Sequence, residues 1–305
     1  MIPNTSRRDF LALLSALPVA SLAGAPAFAQ QKIPVRKIPA TGETLPVVGL
    51  GSSKVVEEIA KNGEEPLRQV LRSLVAHGGK VVDTWPRNAA NDGRFGKVIN
   101  EPEFRNSLFV TSKIDQVGKD VGIKQLRDAH LHYGRKVLDL VQIFSLTDLE
   151  THWPTLRQWK DSGEARYIGV TVSQDQRHAQ LESFLKREKP DFVQVNYSIT
   201  ERQAEDRLIP FIAERGVALV INRPFMNGAL FQKLEGKPLP QWATEIGATT
   251  WAQFSLKYIL SNPAVNVVLT ETSNPKHMAE NASAALGGLP NEATRKRMRD
   301  FIATV

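Results

Sequence analysis

Short apolar runs recur along the chain at residues 47–50, 80–83, 107–111, 138–143, 166–171, 192–195, 217–221 and 265–269. Most are apolar on both faces, the pattern of strands in a parallel sheet that helices cover on each side. Between most of them lies a helix-length segment with apolar residues three and four apart, such as Leu67, Val70, Leu71, Leu74 and Val75, or Leu208, Ile209, Phe211 and Ile212. Gly78-Gly79 and Gly216 stand just before the second and seventh runs, where a left-handed helix C-cap is expected.

Eight such repeats without a long linker predict one closed (β/α)8 barrel, a single domain over residues 30–305, rather than an open doubly wound sheet. Residues 37–46, with Thr41-Gly42-Glu43, read as an N-terminal β-hairpin that lids the barrel's N-terminal end, and a C-terminal helix ends the chain. The Pro- and Gly-rich stretch 223–241 follows the seventh strand and so belongs to the C-terminal face, where barrel active sites form.

Residues 1–29 read as a signal peptide. Arg7 and Arg8 precede an apolar run from Phe10 to Ala23, and Ala27-Phe28-Ala29 has the small-x-small form of a cleavage site. Ser6-Arg7-Arg8-Asp9-Phe10-Leu11 resembles the twin-arginine signal, which predicts export of an already folded protein to the periplasm or beyond. The alternative, a short membrane anchor, is disfavoured because the apolar part falls short of the ~20 residues needed to span; no membrane span is expected after signal removal. Losing the signal lowers the formal charge from +7 to +6, since two cations and one anion leave with it. That modest basic excess is spread along the chain without clustered Lys/Arg and interleaved aromatics, which argues against a nucleic-acid partner. The absence of cysteine excludes disulfides, thiol nucleophiles and Cys-based metal sites.

Candidate chemistry starts with Asp83 and Lys113, which end the second strand and follow the third, on one rim. The pair could tune a neighbour's pKa or be a plain structural ion pair. His130 and His132 lie two apart in a helical segment and face different sides, so with His152 they make no metal site. Asp148, Glu150 and His152 read as a solvated polar loop after the fourth strand, with a proton carrier as the alternative. Trp242, Trp251, Phe254 and Tyr258 read as packing.

Six segments lie in the order and spacing of one family: Gly49-Leu50-Gly51, Val82-Asp83-Thr84, Thr111-Ser112-Lys113, Ala165-Arg166-Tyr167-Ile168-Gly169-Val170, Gln194-Val195-Asn196-Tyr197-Ser198, and Thr272-Ser273-Asn274-Pro275-Lys276-His277 through Glu280-Asn281. Over roughly residues 33–290 the chain resembles the aldo/keto reductases. The resemblance implies a (β/α)8 barrel that passes a hydride from NADP(H) or NAD(H) to a small aldehyde or ketone. It implies catalytic roles for Asp83 and Lys113, which in the family depress the pKa of a proton-donating tyrosine, beside a histidine that orients the carbonyl. The family's tyrosine position falls on Asn88 and its histidine position on Phe144, and Asp92 stands where a glutamate belongs. An amide cannot surrender a proton near neutral pH, and Phe144 has no polar atom. Both are expected to face the Asp83–Lys113 pair. Tyr197, after the sixth strand, is the one conceivable substitute among four tyrosines.

The resemblance further implies cofactor contacts from Thr171, Gln194, Asn222, Thr272, His277, Glu280 and Asn281. It also carries departures. Val172 replaces an asparagine, Asn222 replaces the aromatic that stacks on the nicotinamide, and Glu271 replaces a lysine or glycine. A carboxylate there would repel a 2′-phosphate, so NADH is less disfavoured than NADPH. Two readings stay open. One is an exported oxidoreductase with a rearranged site; the other is a catalytically silent barrel that binds a ligand or partner.

Overall fold

The computed structural model describes residues 32–305; the signal assigned to residues 1–29 lies outside the described residues. A two-stranded antiparallel hairpin, β1 (Val35–Lys37) and β2 (Thr44–Pro46), precedes eight strands: β3 (Val48–Gly51), β4 (Val81–Asp83), β5 (Phe109–Ile114), β6 (Leu138–Ile143), β7 (Ala165–Thr171), β8 (Phe192–Asn196), β9 (Ala218–Asn222) and β10 (Val265–Glu271). These eight close into a parallel barrel in which β10 pairs with β3. The predicted runs and the observed strands differ only at their ends.

Helices return the chain between strands: α1 (Glu65–Ala76), α2 (Ala89–Ile99), α3 (Lys119–Tyr133), α4 (Leu149–Ser162), α5 (His178–Arg187), α6 (Leu208–Glu214), α7 (Trp251–Leu260) and α8 (Pro275–Ser283), with α9 (Glu292–Thr304) last. In α1, Leu67, Val70, Leu71 and Leu74 are buried against the barrel, Pro66 sits in the first turn, and Gly78 takes φ +84° just beyond the end. No helix among the described residues is long and apolar enough to cross a membrane.

The barrel interior is a packed core, with Val81, Phe109, Leu140, Tyr167, Phe192 and Val267 pointing inward. Ile38 and Leu45 of the hairpin join that cluster and plug the N-terminal end, and Glu43 accepts from the Tyr167 hydroxyl at 2.7 Å. Alternation along each strand then puts the next inward layer at Asp83, Thr111, Gln142 and Gln194, with Lys113 two residues beyond Thr111. This polar layer faces the C-terminal mouth.

Candidate functional site

At the mouth the inward polar residues bond one another. The Thr111 hydroxyl donates to Asp83 Oδ1 at 2.6 Å, and Lys113 Nζ donates to Asp83 Oδ2 at 2.5 Å and to the Thr84 carbonyl at 3.2 Å. Gln194 Nε2 reaches Asp83 Oδ1 at 3.2 Å and Gln142 Oε1 at 3.5 Å. Asn222 Nδ2 closes the set by donating to Gln194 Oε1 at 3.1 Å and to the Val172 carbonyl at 2.9 Å. Lys113 is 2% exposed, and burial pulls its pKa below the ordinary lysine value, against the raising effect of Asp83.

Lys113 has an aromatic roof. The Trp85 ring lies 5.5 Å from its Nζ, the Arg87 guanidinium stacks on Trp85 at 4.0 Å, and Phe144 stacks on Trp85 at 5.8 Å with a 22° interplanar angle. Arg87 also pairs with Glu57 at 2.7 Å and adds positive potential that lowers the Lys113 pKa. Phe144 thus belongs to the mouth. Asn88 does not sit beside the ammonium group: it is exposed and caps α2, with its amide oxygen accepting the Asn91 N–H at 2.9 Å. The loop between Thr84 and the cap fills the space over Lys113 with Trp85 and Arg87.

Each tyrosine hydroxyl is committed elsewhere or buried. Tyr167 bonds Thr41 and Glu43 at the closed end, Tyr258 donates to Glu205, and Tyr197 accepts from Arg295 at 3.1 Å. Tyr133 is buried edge-on to Phe95, and burial raises its pKa far above the phenol value. Among the histidines, His130 packs against Trp159 with its ring tilted by 50°, and His178 bonds Asn196. Residues 148–152 correct the loop reading. Asp148 stands at the N-cap position of α4 and turns its carboxylate to the Gly118 N–H, while His152 is buried on that helix with its Nε2 at the Gln116 carbonyl, because the helix starts earlier than its polar residues suggest.

The other cofactor candidates fall in two places. Thr171 lies in the mouth, 1% exposed, its hydroxyl accepting the Ser145 N–H. Thr272, His277, Glu280 and Asn281 line a separate rim cavity of about 370 Å³ beside β10 and α8. Phe225, Phe231, Trp251 and Glu271 complete its wall. Trp251, read from sequence as packing, does pack on Phe254 but also faces this cavity. Gln142, Trp85, Arg87, Phe225 and Phe231 were missed as well. Gln142 was detectable, since a polar residue at an inward position of an apolar strand breaks the alternation; the rest carry no local signal.

Residues 47–296 match the sequence pattern of the aldo/keto reductase family. The chain belongs to that family. Solved structures of similar fold include an aldo-keto reductase from Klebsiella pneumoniae in complex with NADPH, at TM-score 0.71 and 18% identity, covering 89% of this chain and 95% of that one. The holo form of an aldo-keto reductase from Bacillus halodurans aligns at TM-score 0.69 and 19% identity over 88% and 96% of the two chains. A thermostable aldo-keto reductase in complex with the inhibitor epalrestat aligns at TM-score 0.71 and 24% identity over 88% and 99%.

Within this reductase-family barrel the polar mouth carries Lys113 and Arg87 as its cationic donors, and no phenol or imidazole among the described residues bonds Lys113 Nζ. The Arg87 guanidinium carries only N–H donors and no acceptor. Two Lys113 N–H groups are directed to Asp83 and Thr84, and the ammonium group lies under the Trp85 face.

Proposed function

We propose that this chain is an aldo/keto reductase-family barrel that binds a dinucleotide-type ligand at its C-terminal rim and does not carry out carbonyl reduction. One observation carries the reading: no phenol or imidazole among the described residues bonds Lys113 Nζ, and Trp85 covers it. Family membership and the NADPH-bound neighbour support a nicotinamide dinucleotide as the ligand class. The rim cavity fits its adenosine-bearing half, because Asn281 is 4% exposed, lines the cavity and makes no hydrogen bond among the described residues. The mouth does not fit the nicotinamide half equally well. A carboxamide would have to take Gln194 from Asn222 and Asp83, and the position of the stacking aromatic holds Asn222. When bound, such a group supplies hydride; the residues here supply no matching proton.

The test is a turnover assay of the mature chain with NADH or NADPH and a simple aldehyde. The expected result is no nicotinamide oxidation above the uncatalysed rate. Sustained turnover would reject the proposal and favour the second reading, an oxidoreductase with a rearranged site, which the intact Asp83–Lys113–Gln194 set supports. We further propose export by the twin-arginine route, on the strength of Ser6 to Leu11. Replacing Arg7 and Arg8 with lysine should leave the protein in the cytoplasmic fraction; unchanged distribution argues against that route.

A further inference from the structure

We infer that the groove between α2 and α3 is a binding site for a free α-amino acid with an apolar side chain, its carboxylate held by Arg87 and its ammonium group by Asp92. The inference goes beyond the dinucleotide reading, because this groove shares no residue with the rim cavity.

The groove measures about 470 Å³, and none of Asp83, Lys113, Gln142 and Gln194 lines it. Trp85 and Arg87 of the mouth roof form part of its wall, and Pro86, Ala89 and Val121 add apolar surface. Two charged groups of that wall keep unused bonding capacity. Asp92 is 2% exposed; its Oδ2 accepts the Arg87 backbone N–H at 2.9 Å, and its Oδ1 has no hydrogen-bond partner among the described residues. Arg87 directs Nη1 to Glu57, while its Nε and Nη2 have no partner among the described residues. Nε–H and Nη2–H lie on one edge of the guanidinium, the fork that meets a carboxylate through two parallel bonds. Stacking on Trp85 fixes the plane of that fork. Burial raises the Asp92 pKa, and the Arg87 charge is near enough to oppose that shift, so fork and open oxygen belong to one neighbourhood.

Buried polar groups normally find partners, so a two-pronged donor and an acceptor left open in one wall match a ligand that brings the opposite pair. An α-amino acid carries a carboxylate and an ammonium group on one carbon. A lone anion would meet the Asp92 carboxylate, and a lone amine would leave the fork open. The other charges of the wall are engaged: Lys124 Nζ donates to Asp128 at 2.6 Å, and Asp115 Oδ1 accepts the Gln116 and Gln125 amides at 2.7 Å each. A metal ion fits less well, since no group of three or more His or acidic side chains among the described residues could hold one.

The experiment titrates the full chain by calorimetry near neutral pH with L-leucine, with isocaproate, which lacks the ammonium group, and with isoamylamine, which lacks the carboxylate. L-leucine is expected to bind at least tenfold more tightly than either. Asp92→Asn should weaken L-leucine tenfold or more and leave isocaproate no weaker. Arg87→Lys keeps the charge but loses the fork, and should weaken L-leucine and isocaproate together. Unfolding midpoints of both variants show that they are folded, and Asp92→Asn removes a charge from a buried position without changing its bulk. Equal affinity for the three probes, no binding of L-leucine at millimolar concentration, or an unchanged L-leucine affinity in Asp92→Asn would each overturn the inference. The aldehyde assay decides the absence of reductase turnover separately.

Discussion

Lys113 and Asp83 are a buried ion pair whose attraction offsets only part of the cost of taking the Lys113 charge out of water. Their contribution is therefore asymmetric. Lys113→Met alone leaves the Asp83 carboxylate with only the Thr111 hydroxyl and the Gln194 amide, and should cost about 3–5 kcal/mol. Asp83→Asn alone should cost a similar amount, while the double variant recovers most of the loss. Denaturant unfolding of the four forms measures the coupling, and additive losses would refute this account. Asp92 gives a pH-dependent case. It is 2% exposed, its Oδ1 has no hydrogen-bond partner, and burial raises its pKa above the ordinary 3.8, partly offset by the Arg87 backbone N–H. A raised folded-state pKa means that the folded chain keeps the proton longer than the unfolded one, so stability falls as pH rises through the window above 3.8. Asp92→Asn should therefore stabilise the protein at pH 7 by on the order of 1 kcal/mol. The gain should vanish below pH 3.8, and thermal melts across that range check it.

Elements explain two residues that the family pattern marks without giving their physical role. Asn88 starts α2, and its side chain satisfies one of the four orphan N–H groups at that end. Its amide is thus occupied in helix capping. Gly96 lies further along the same helix, where it meets the end of α3. A Cβ added there would stand 2.0 Å from the His132 carbonyl oxygen and 2.8 Å from Tyr133 Cα, both backbone atoms. Gly96→Ala should push the two helices apart and cost about 3 kcal/mol or more, read as a lowered unfolding midpoint. A change within 0.5 kcal/mol would mean that the helix pair is looser than the close approach implies. The strands were legible because a doubly buried strand is apolar at every position. The start of α4 was not, since Asp148 and His152 look like loop residues until the helix that buries them is in place.

At the scale of the whole barrel, the two ends have separate tasks. The hairpin closes one end with Ile38 and Leu45, and the polar mouth and rim cavity occupy the other. Leu45→Ala should remove 2–5 kcal/mol of stability by opening a cavity in the plug, yet leave ligand affinity at the rim unchanged once the protein is folded. Equilibrium unfolding and ligand titration on the same variant separate the two effects. A parallel loss of affinity would show that the closed end supports the mouth.

The amino-acid sequence alone determined the repeat, the closure at eight strands, the hairpin and the positions of Asp83 and Lys113, because burial on one or both faces imposes a period that survives in a linear string. It also placed Gln194, Asn222 and Glu271 on the correct rim. Only the tertiary structure decided what those side chains do. Asp83 meets Gln194 across 111 residues, Trp85 rather than Asn88 faces Lys113, and the rim cavity is walled by the segment after β9 together with α7, β10 and α8. Such contacts depend on strand register and loop path. Neither leaves a periodic trace in the sequence, so the chemistry of the mouth became readable only once the barrel was closed.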